Sequence, residues 1–296
     1  MKRLAAATVF GLLLLVAGAG QTGQVRQIAP GVWYREAEPA KRIIANTGWV
    51  EFRDYVLVID ANFPWGARPA LEDIRRTTQK PIRFVFDTHY HSDHAFGNSI
   101  FVDAGATVIC TEDCGVESRE KNPAQWAASA DVKELASKDR LEHPQILFRE
   151  RMVLDDGSRR VELLKMGPGH TRGDAVAWLP KERILFTGDL CLNRPGNNIA
   201  DRDADPDGWV RGLDRMMQLE VATLIPGHGA QGNKATVVGQ RAYLADMVRQ
   251  VRSGIERGVA VDQLEKQVDL SSHKPWGQDE TRNRVSVRAV YAKLRP

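Results

Sequence analysis

Short apolar stretches separated by turn residues make up most of the first half of the chain. Apolar runs of this length, bounded by polar or glycine-containing turns, are typical of buried strands. We predict strands at five such runs: 31–34, 42–46, 55–60, 82–86 and 106–110. Helical patterns are predicted at two places, a helix at 69–77 and one or two surface helices within the polar, alanine-rich stretch 115–140.

The second half of the chain repeats this alternation of strands and turns. Two hairpins are predicted from paired apolar runs around tight turns: 151–154 with 161–166, and 175–179 with 183–187. Three further elements follow them: a helix near 207–219, a strand at 223–225 and a mostly helical tail from 234. Strands flanked by helices in both halves predict two β-sheets packed face to face, with helices outside.

The first 20 residues have the pattern of a secretion signal. Lys2-Arg3 gives a positive start, residues 5–16 are apolar or small apart from one threonine, and residues 17–19 are small, as before a cleavage point. A membrane span needs about 20 apolar residues, and this stretch is shorter. We therefore predict a signal peptide at 1–20, a periplasmic or secreted protein, and no stable membrane anchor.

Composition does not indicate a nucleic-acid partner. The 296 residues include 41 basic and 38 acidic side chains, for a net charge of +3, and two of the positive charges lie in the predicted signal peptide. A near-neutral mature protein lacks the basic surface that binds phosphate backbones. No linker or repeat divides the chain. We predict one domain at 25–296, with a helical tail at 230–296 and a small-molecule substrate.

The segment His89-Tyr90-His91-Ser92-Asp93-His94 concentrates three imidazoles and one carboxylate directly after the predicted strand 82–86. In an extended stretch alternate side chains point the same way, so His89 and His91 can grip one ion. Imidazole together with carboxylate suits zinc or a neighbouring first-row metal. The segment therefore predicts a metal site.

Three later turns that contain glycine each follow a predicted strand and carry one more candidate ligand. They are Gly167–Thr171 with His170, Thr187–Leu190 with Asp189, and Pro226–Gly229 with His228. Glycine lets the backbone bend sharply and lets a metal approach closely. The candidate ligands are therefore seven: His89, His91, Asp93, His94, His170, Asp189 and His228. Structural zinc sites generally close with four ligands and often use cysteine, so this set indicates a catalytic site.

This ordered series resembles the metallo-β-lactamase superfamily of binuclear metallohydrolases, over about Val32 to Gly229. The resemblance implies an α/β (α+β) fold, a four-layer αββα sandwich. It implies that a first metal is held by three histidines: His89, His91 and His170. It implies that a second is held by Asp93, His94 and His228, with Asp189 bridging both ions. Asp60 matches an outer partner that orients the histidine loop.

The expected cofactors are two Zn²⁺ ions, with iron or manganese as alternatives. Two ions about 3.5–4 Å apart can hold a hydroxide and lower the pKa of its parent water from about 15.7 towards about 7. This hydroxide would attack a carbonyl carbon, with Asp93 as the catalytic residue that handles a proton. We expect a zinc-dependent hydrolase. A single-iron oxygenase and a non-catalytic periplasmic metal-binding protein remain as other hypotheses.

Two substrate classes are compatible with the motifs. The spacing of the ligands and the predicted export resemble true β-lactamases, which favours a β-lactam amide. Those enzymes carry cysteine at the position of Asp189, lack an equivalent of His94, and have a substrate-binding lysine where this chain has Leu192, although Arg194 is nearby. The ligand set and the helical tail resemble glyoxalase II, lactonases and members linked to sulfur or quinoprotein metabolism. A thioester or lactone is therefore the alternative substrate.

The chain has three cysteines, Cys110, Cys114 and Cys191. Cys110 and Cys114 are four residues apart and form either a local disulfide or two inert thiols, since no second cysteine pair exists to complete a zinc site. Cys191 is expected to pack behind the metal site. Asn197-Asn198 lies on a loop that either borders the pocket or stabilises its own turn.

Overall fold

A computed structural model describes residues 23–129 and 139–295. The predicted signal peptide at 1–20 and part of the predicted helical stretch 115–140 lie outside these ranges. Among the described residues, no helix combines the length and the apolar character needed to cross a bilayer.

The first sheet contains seven strands in the order of the chain. They are β1 (Val25–Ala29), β2 (Val32–Arg35), β3 (Thr47–Glu51), β4 (Val56–Ile59), β5 (Ile82–Phe86), β6 (Thr107–Thr111) and β7 (Ile146–Phe148). Pairing is antiparallel from β1 to β4 and parallel from β4 to β7. The carboxyl ends of β4, β5 and β6 therefore meet at one edge of the sheet.

The second sheet contains five strands in the order β12-β11-β10-β9-β8. They are β8 (Arg151–Asp155), β9 (Arg160–Lys165), β10 (Ala175–Leu179), β11 (Ile184–Gly188) and β12 (Thr223–Pro226). The β8–β9 and β10–β11 hairpins are those expected from the sequence. Strands β11 and β12 are parallel, so their carboxyl ends also lie side by side.

The helices of the described residues begin at recognisable signals. They are α1 (Pro64–Thr77), α2 (Ser92–Ala95), α3 (Asn98–Val102), α4 (Glu112–Ala128), α5 (Pro206–Met216), α6 (Lys234–Glu256), α7 (Val261–Gln267) and α8 (Glu280–Leu294). Pro64 stands at the first position of α1, where its missing N–H costs no hydrogen bond. Asp205 caps α5 by accepting from the Gly208 N–H, and Asn233 starts α6 with a capping box.

Three apolar cores define four layers. Alternate residues of a strand face opposite sides, so Leu57 and Ile59 of β4 face the second sheet while Val56 and Val58 face the helices. The central core joins inward side chains of both sheets. The first outer core packs α1 and α3 on the seven-stranded sheet. The second packs α5, α6 and α8 on the five-stranded sheet. The expected αββα sandwich is confirmed.

The predicted strand at 42–46 is wrong. The structure has a short 3-10 turn at Pro39–Lys41, which ends at Arg42 with a positive φ of 62°, and the strand starts only at Thr47. Glycine usually weakens a strand interior, so Gly48 made this strand difficult to predict from the sequence. A Cβ at Gly48 would lie 2.4 Å from the Phe186 ring. Glycine is therefore needed for the close approach of the two sheets.

Helices α6 and α8 of the tail are joined by a buried hydrogen bond. The Tyr243 hydroxyl of α6 donates to Asn283 Oδ1 of α8 at 2.6 Å, and the Asn283 amide donates to the Gly277 carbonyl at 3.0 Å. Tyr243 is fully buried and Asn283 nearly so. Because an unpaired buried polar group is costly, this contact fixes where α8 lies.

Replacing Tyr243 with phenylalanine should destabilise the protein. The substitution leaves the Asn283 oxygen without its buried donor, at an expected cost of about 1–3 kcal/mol in the free energy of unfolding. Tyr291→Phe on α8 is the control, because the Tyr291 ring is only partly buried and its hydroxyl makes no hydrogen bond to any residue within 23–129 or 139–295. Urea denaturation measures both. Equal stability of the two variants would contradict the assigned role.

Candidate metal centre

The seven predicted ligands come together at the end of the sandwich where β5, β11 and β12 finish. The segment from His89 to His94 follows β5 and runs into α2, Asp189 is the first residue after β11, and His228 is the second residue after β12. His170 lies in the turn between β9 and β10. Five of the seven predicted ligands therefore lie in loops that follow strands, while Asp93 and His94 lie in the short helix α2. The supporting scaffold is rigid because the strands themselves are buried.

Three histidines form the first group, His89, His91 and His170. One nitrogen from each lies within 4.8 Å of the others. The closest approach joins His170 Nε2 and His91 Nδ1, at 2.9 Å. His89 and His170 are fully buried, and His91 is partly exposed. These are the three histidines that the resemblance implies for the first metal.

The second group contains Asp93, His94 and His228. Asp93 Oδ2 lies 3.1 Å from His228 Nε2 and 3.6 Å from His94 Nε2. Asp189 stands between the two groups. Its Oδ1 lies 3.3 Å from both His94 Nε2 and His228 Nε2, and its Oδ2 lies 3.7 Å from His170 Nε2. One carboxylate thus reaches both ligand groups.

The donor set fits divalent cations. The buried atoms His89 Nε2, His94 Nε2 and Asp189 Oδ1 have no hydrogen-bond partner among the described residues, although each belongs to this cluster. Buried polar atoms are normally paired, and each exception needs an explanation. Imidazole nitrogens with carboxylate oxygens are the ligands of zinc and similar metals. Cations at this point would satisfy all three atoms together.

The second nitrogen of each of three histidines is held by an outer partner, which fixes the ring and its tautomer. His94 Nδ1 donates to Asp60 Oδ2 at 2.9 Å, and His228 Nδ1 donates to the Ile44 carbonyl at 2.7 Å. His89 Nδ1 lies 3.1 Å from the Thr88 hydroxyl, which donates to Asp60 at 3.0 Å. Asp60 therefore lies where the resemblance implied. No local sequence pattern predicted the roles of Thr88 and Ile44.

His91 has an outer partner that the sequence analysis also missed. Its Nε2 lies 3.4 Å from Asp201 Oδ2, on the loop that precedes α5. Tyr90 donates from its hydroxyl to Asp203 on the same loop at 2.5 Å. The only sequence signal was the run of acids from 201 to 207, which lacked a predicted partner.

Two glycines let the ligand loops approach each other. Gly188 has a positive φ of 51°, and a Cβ there would lie 2.2 Å from the Thr88 hydroxyl. A Cβ on Gly227 would lie 2.3 Å from Asp189 Oδ1. Any side chain at either position would separate the strand ends that carry the ligands.

The two ligand groups differ in protonation. Burial lowers the pKa of His170 to about 3, and His91 adds to the effect. Burial also lowers the pKa of His94, but the Asp93 and Asp60 carboxylates outweigh it and hold that pKa well above the usual value. Asp189 and Asp93 likewise outweigh burial and raise the pKa of His228 to about 9. Without a cation, protons balance the carboxylates of the second group.

The remaining histidines and the cysteines lie apart from these ligands. His143 Nδ1 lies 2.9 Å from the Ser118 hydroxyl, and His273 Nε2 lies 3.0 Å from Asp246. All three cysteines are buried free thiols, so the structure has two inert thiols at 110 and 114 rather than a disulfide. Burial raises the pKa of the Cys191 thiol, which packs in the outer core of the five-stranded sheet.

Known proteins share this architecture and its motifs. The sequence profile of the metallo-beta-lactamase superfamily matches residues 40–228. The chain is 25% identical over 228 residues to a metallo-beta-lactamase type 2 of Bacillus sp. (strain 170), which covers 73% of this chain and 80% of that protein. The solved metallo-beta-lactamase from Pontibacter korlensis aligns with a TM-score of 0.62 at 20% identity, over 75% of this chain and 98% of the other.

A second type of solved structure covers more of the chain. The stereoselective inverting sec-alkylsulfatase Pisa1 from Pseudomonas sp. aligns with a TM-score of 0.73 at 16% identity. The alignment covers 92% of this chain, which spans 50% of the sulfatase. At such identities the structural likeness shows the fold. The profile match shows that the chain belongs to the metallo-β-lactamase superfamily of hydrolases, so the family expected from the motifs is confirmed.

Loading the metal-free protein with zinc should release protons. Zinc binds neutral imidazole, while the raised pKa values of His94 and His228 keep both rings protonated near neutral pH. We expect about two protons released per chain at neutral pH. The share from His228 should vanish as the pH rises above about 9. Calorimetric titration in buffers with different ionisation enthalpies measures this release. Heats independent of the buffer would rule it out.

Replacing Asp60 with asparagine should weaken binding of the second metal. The Asp60 carboxylate accepts from both the Thr88 N–H and His94 Nδ1, and an amide in either orientation sets two donors against each other. Loss of such an outer partner typically costs about 10–100-fold in metal affinity. Titration against a zinc chelator measures the change.

Asp103→Asn is the matched control, because Asp103 is an exposed acid that pairs with Arg140 and belongs to none of the candidate ligand groups. It should bind zinc like the parent protein. If Asp60→Asn does so too, Asp60 has no role in orienting His94.

Proposed function

We propose that this chain is an exported hydrolase that uses two zinc ions to cleave a bond at a carbonyl carbon. The observation that carries the proposal is the pair of ligand groups that share Asp189. A structural zinc site would close around one ion and leave no room for substrate, whereas Asp93 and His228 line an open pocket. No member of the expected ligand set is missing, which favours an enzyme over a non-catalytic metal-binding protein.

Different ligands would hold the two ions. His89, His91 and His170 would hold the first. Asp93, His94 and His228 would hold the second, and Asp189 would contact both. When bound, such a pair of ions supplies a strong nucleophile near neutral pH and polarises the oxygen of the scissile group. The outer partners Asp60, Thr88 and Asp201 keep the histidine rings in place, so that the rings move little when the metal ions bind.

Asp93 is suited to move a proton in this reaction. Its side chain lines the pocket, and its Oδ2 lies 3.1 Å from His228 Nε2. Burial would raise the pKa of this carboxyl, but His94 and His228 outweigh burial and lower it. Asp93 is therefore ionised near neutral pH. It can accept a proton from the nucleophile and pass that proton to the leaving group.

The pocket has the size of a small-molecule site. Its volume is about 770 Å³, within the usual range for such sites of about 300–1,000 Å³. It is bordered by the loop that carries Asn198, by Ile44 and by α8. Asn198 also donates to Asp189 Oδ2 at 3.1 Å, so this loop is tied directly to the ligands. A small molecule, not a polymer, is the expected substrate.

Two substrate classes are proposed in order. A β-lactam amide comes first, because a β-lactamase of Bacillus matches most of the chain and the N-terminal pattern indicates export. A thioester or lactone comes second, because a ligand set that includes His94 and Asp189 resembles that of glyoxalase II and the lactonases. A sulfate ester should be assayed as well, since the structural alignment with a sec-alkylsulfatase extends over the helical tail.

The zinc-loaded protein should hydrolyse at least one member of a small panel: a cephalosporin, an acyl-glutathione thioester, an acyl lactone and a secondary alkyl sulfate. Asp93→Asn should lower kcat roughly 10²–10⁴-fold, as expected for loss of a general acid–base group. Initial rates are to be measured together with zinc content by elemental analysis.

Asp113→Asn serves as the control, because that acid pairs with Lys165 on the surface and does not line the pocket. It should keep the parent rate. Full zinc loading without turnover of any carbonyl substrate would overturn the proposal of carbonyl chemistry, and turnover of the sulfate alone would replace it.

A further inference from the structure

Helix α4 places three polar side chains against the loops of the first ligand group. Glu117 and Asn122 are fully buried, and the side chain of Lys121 is 26% exposed. None of the three belongs to a candidate ligand group. Burial of a carboxylate or an amide is costly unless the group is paired, so the partners of these side chains indicate what they do.

Glu117 holds the turn that carries His170. Its Oε2 accepts from the Gly173 N–H at 3.2 Å, and the Gly173 carbonyl accepts from the hydroxyl of Thr111, which caps the same helix, at 2.8 Å. A Cβ at Gly173 would lie 2.3 Å from the Cys114 nitrogen, so this turn lies directly on the first turn of α4. The helix therefore fixes the turn through both polar backbone groups of one residue.

Lys121 extends this contact to the loop beside His91. Its Nζ lies 3.0 Å from Glu117 Oε1 and 2.6 Å from Asp203 Oδ2. The Asp203 N–H donates to Asp201 Oδ1 at 3.2 Å, and the other oxygen of Asp201 faces His91 Nε2. A continuous chain of ion pairs and hydrogen bonds therefore joins the buried Glu117 carboxylate to the ring of a candidate ligand.

Tyr90 separates two of the candidate histidine ligands and is held by the same helix. Its carbonyl accepts from the Asn122 amide at 3.0 Å. Its ring centroid lies 4.7 Å from Lys121 Nζ, a distance at which a cation is attracted to the ring face. Its hydroxyl donates to Asp203, the acid that pairs with Lys121. Helix α4 therefore contacts both segments that carry the first ligand group.

The second ligand group has other partners. His94 donates to Asp60, and His228 donates to the Ile44 carbonyl. Within residues 23–129 and 139–295, no hydrogen bond or ion pair joins a side chain of α4 to Asp93, His94 or His228. The polar contacts of the helix are therefore directed to one of the two groups.

We propose that Glu117, Lys121 and Asn122 are positioning residues that set the affinity of the first metal ion and leave that of the second nearly unchanged. This inference rests on the proposed two-zinc function. The first three histidines come from two separate segments, so their relative positions depend on what joins those segments. Loss of charge at Glu117 or Lys121 releases the turn of His170 and the loop of Asp201 from each other.

Zinc binding tests this role without any need for turnover. Glu117→Gln keeps the shape of the side chain, but an amide in either orientation sets its NH₂ group against the Gly173 N–H or the Lys121 ammonium. The first ion should bind at least about tenfold more weakly, as is typical for loss of an outer partner, and the second within about threefold of the parent value. Chelator competition measures both affinities, and ¹⁵N NMR of the histidine rings during the titration assigns each ion to its group.

Lys121 gives a second, partly exposed position for the same test. Lys121→Met should also weaken the first ion about tenfold, because Glu117 and Asp203 lose the cation that they share. Lys121→Arg restores the charge and should recover most of that affinity. Thermal denaturation of each metal-free variant shows that it is folded before the titration.

Two controls separate positioning from general effects. Glu112→Gln changes an acid of the same helix that pairs with the exposed Arg149, and it should leave both affinities within about twofold. Tyr243→Phe lowers the stability of the tail and should also bind both ions like the parent protein. Equal losses at both ions in Glu117→Gln would overturn the positioning role. So would parent affinity for the first ion in Lys121→Met, or a Lys121→Arg variant as weak as Lys121→Met.

The two proposals fail in different ways. If Glu117→Gln weakens only the first ion but the parent protein hydrolyses no carbonyl substrate, the positioning role stands and the proposed reaction falls. If carbonyl substrates are hydrolysed and Glu117→Gln binds both ions like the parent protein, the reaction stands and the positioning role falls.

Discussion

The position of the Asp189 carboxylate is the constraint on which the rest of the site depends. It lies 3.3 Å from the nearest nitrogens of His94 and His228, and 3.7 Å from His170 Nε2. A fully buried carboxylate among imidazoles is costly unless positive charge compensates it. In the absence of metal, protons on His94 and His228 give that compensation. Metal ions would give it more strongly and would also satisfy the unpartnered nitrogens.

The fold brings the ligands together around Asp189. Asp189 and His228 end two parallel strands of one sheet, and the His89–His94 segment ends a strand of the other. The two sheets must therefore meet closely at this edge. Gly48 permits contact with Phe186 between the sheets, while Gly188 and Gly227 leave room for Thr88 and for the Asp189 carboxylate itself. The central core holds the sheets at this separation, so that the loops that carry the ligands extend from a rigid scaffold.

The sequence revealed those features that are local. Each ligand stands next to a glycine turn or within one short segment, and its residue type already indicates metal chemistry. Strand β3 was missed because its glycine serves a contact with the other sheet, which no local pattern records. Thr88, Asp201 and the Ile44 carbonyl were missed for the same reason, since each acts only after distant segments pack together. Arg282 of α8 is the extreme case, because it lines the pocket from the last helix.

The most direct test of the account is a crystal structure of the zinc-loaded protein with anomalous diffraction recorded at the zinc absorption edge. The account predicts two anomalous peaks on either side of Asp189, one among His89, His91 and His170 and the other among Asp93, His94 and His228. Absence of peaks within this cluster, or a single ion held elsewhere in the chain, would contradict it.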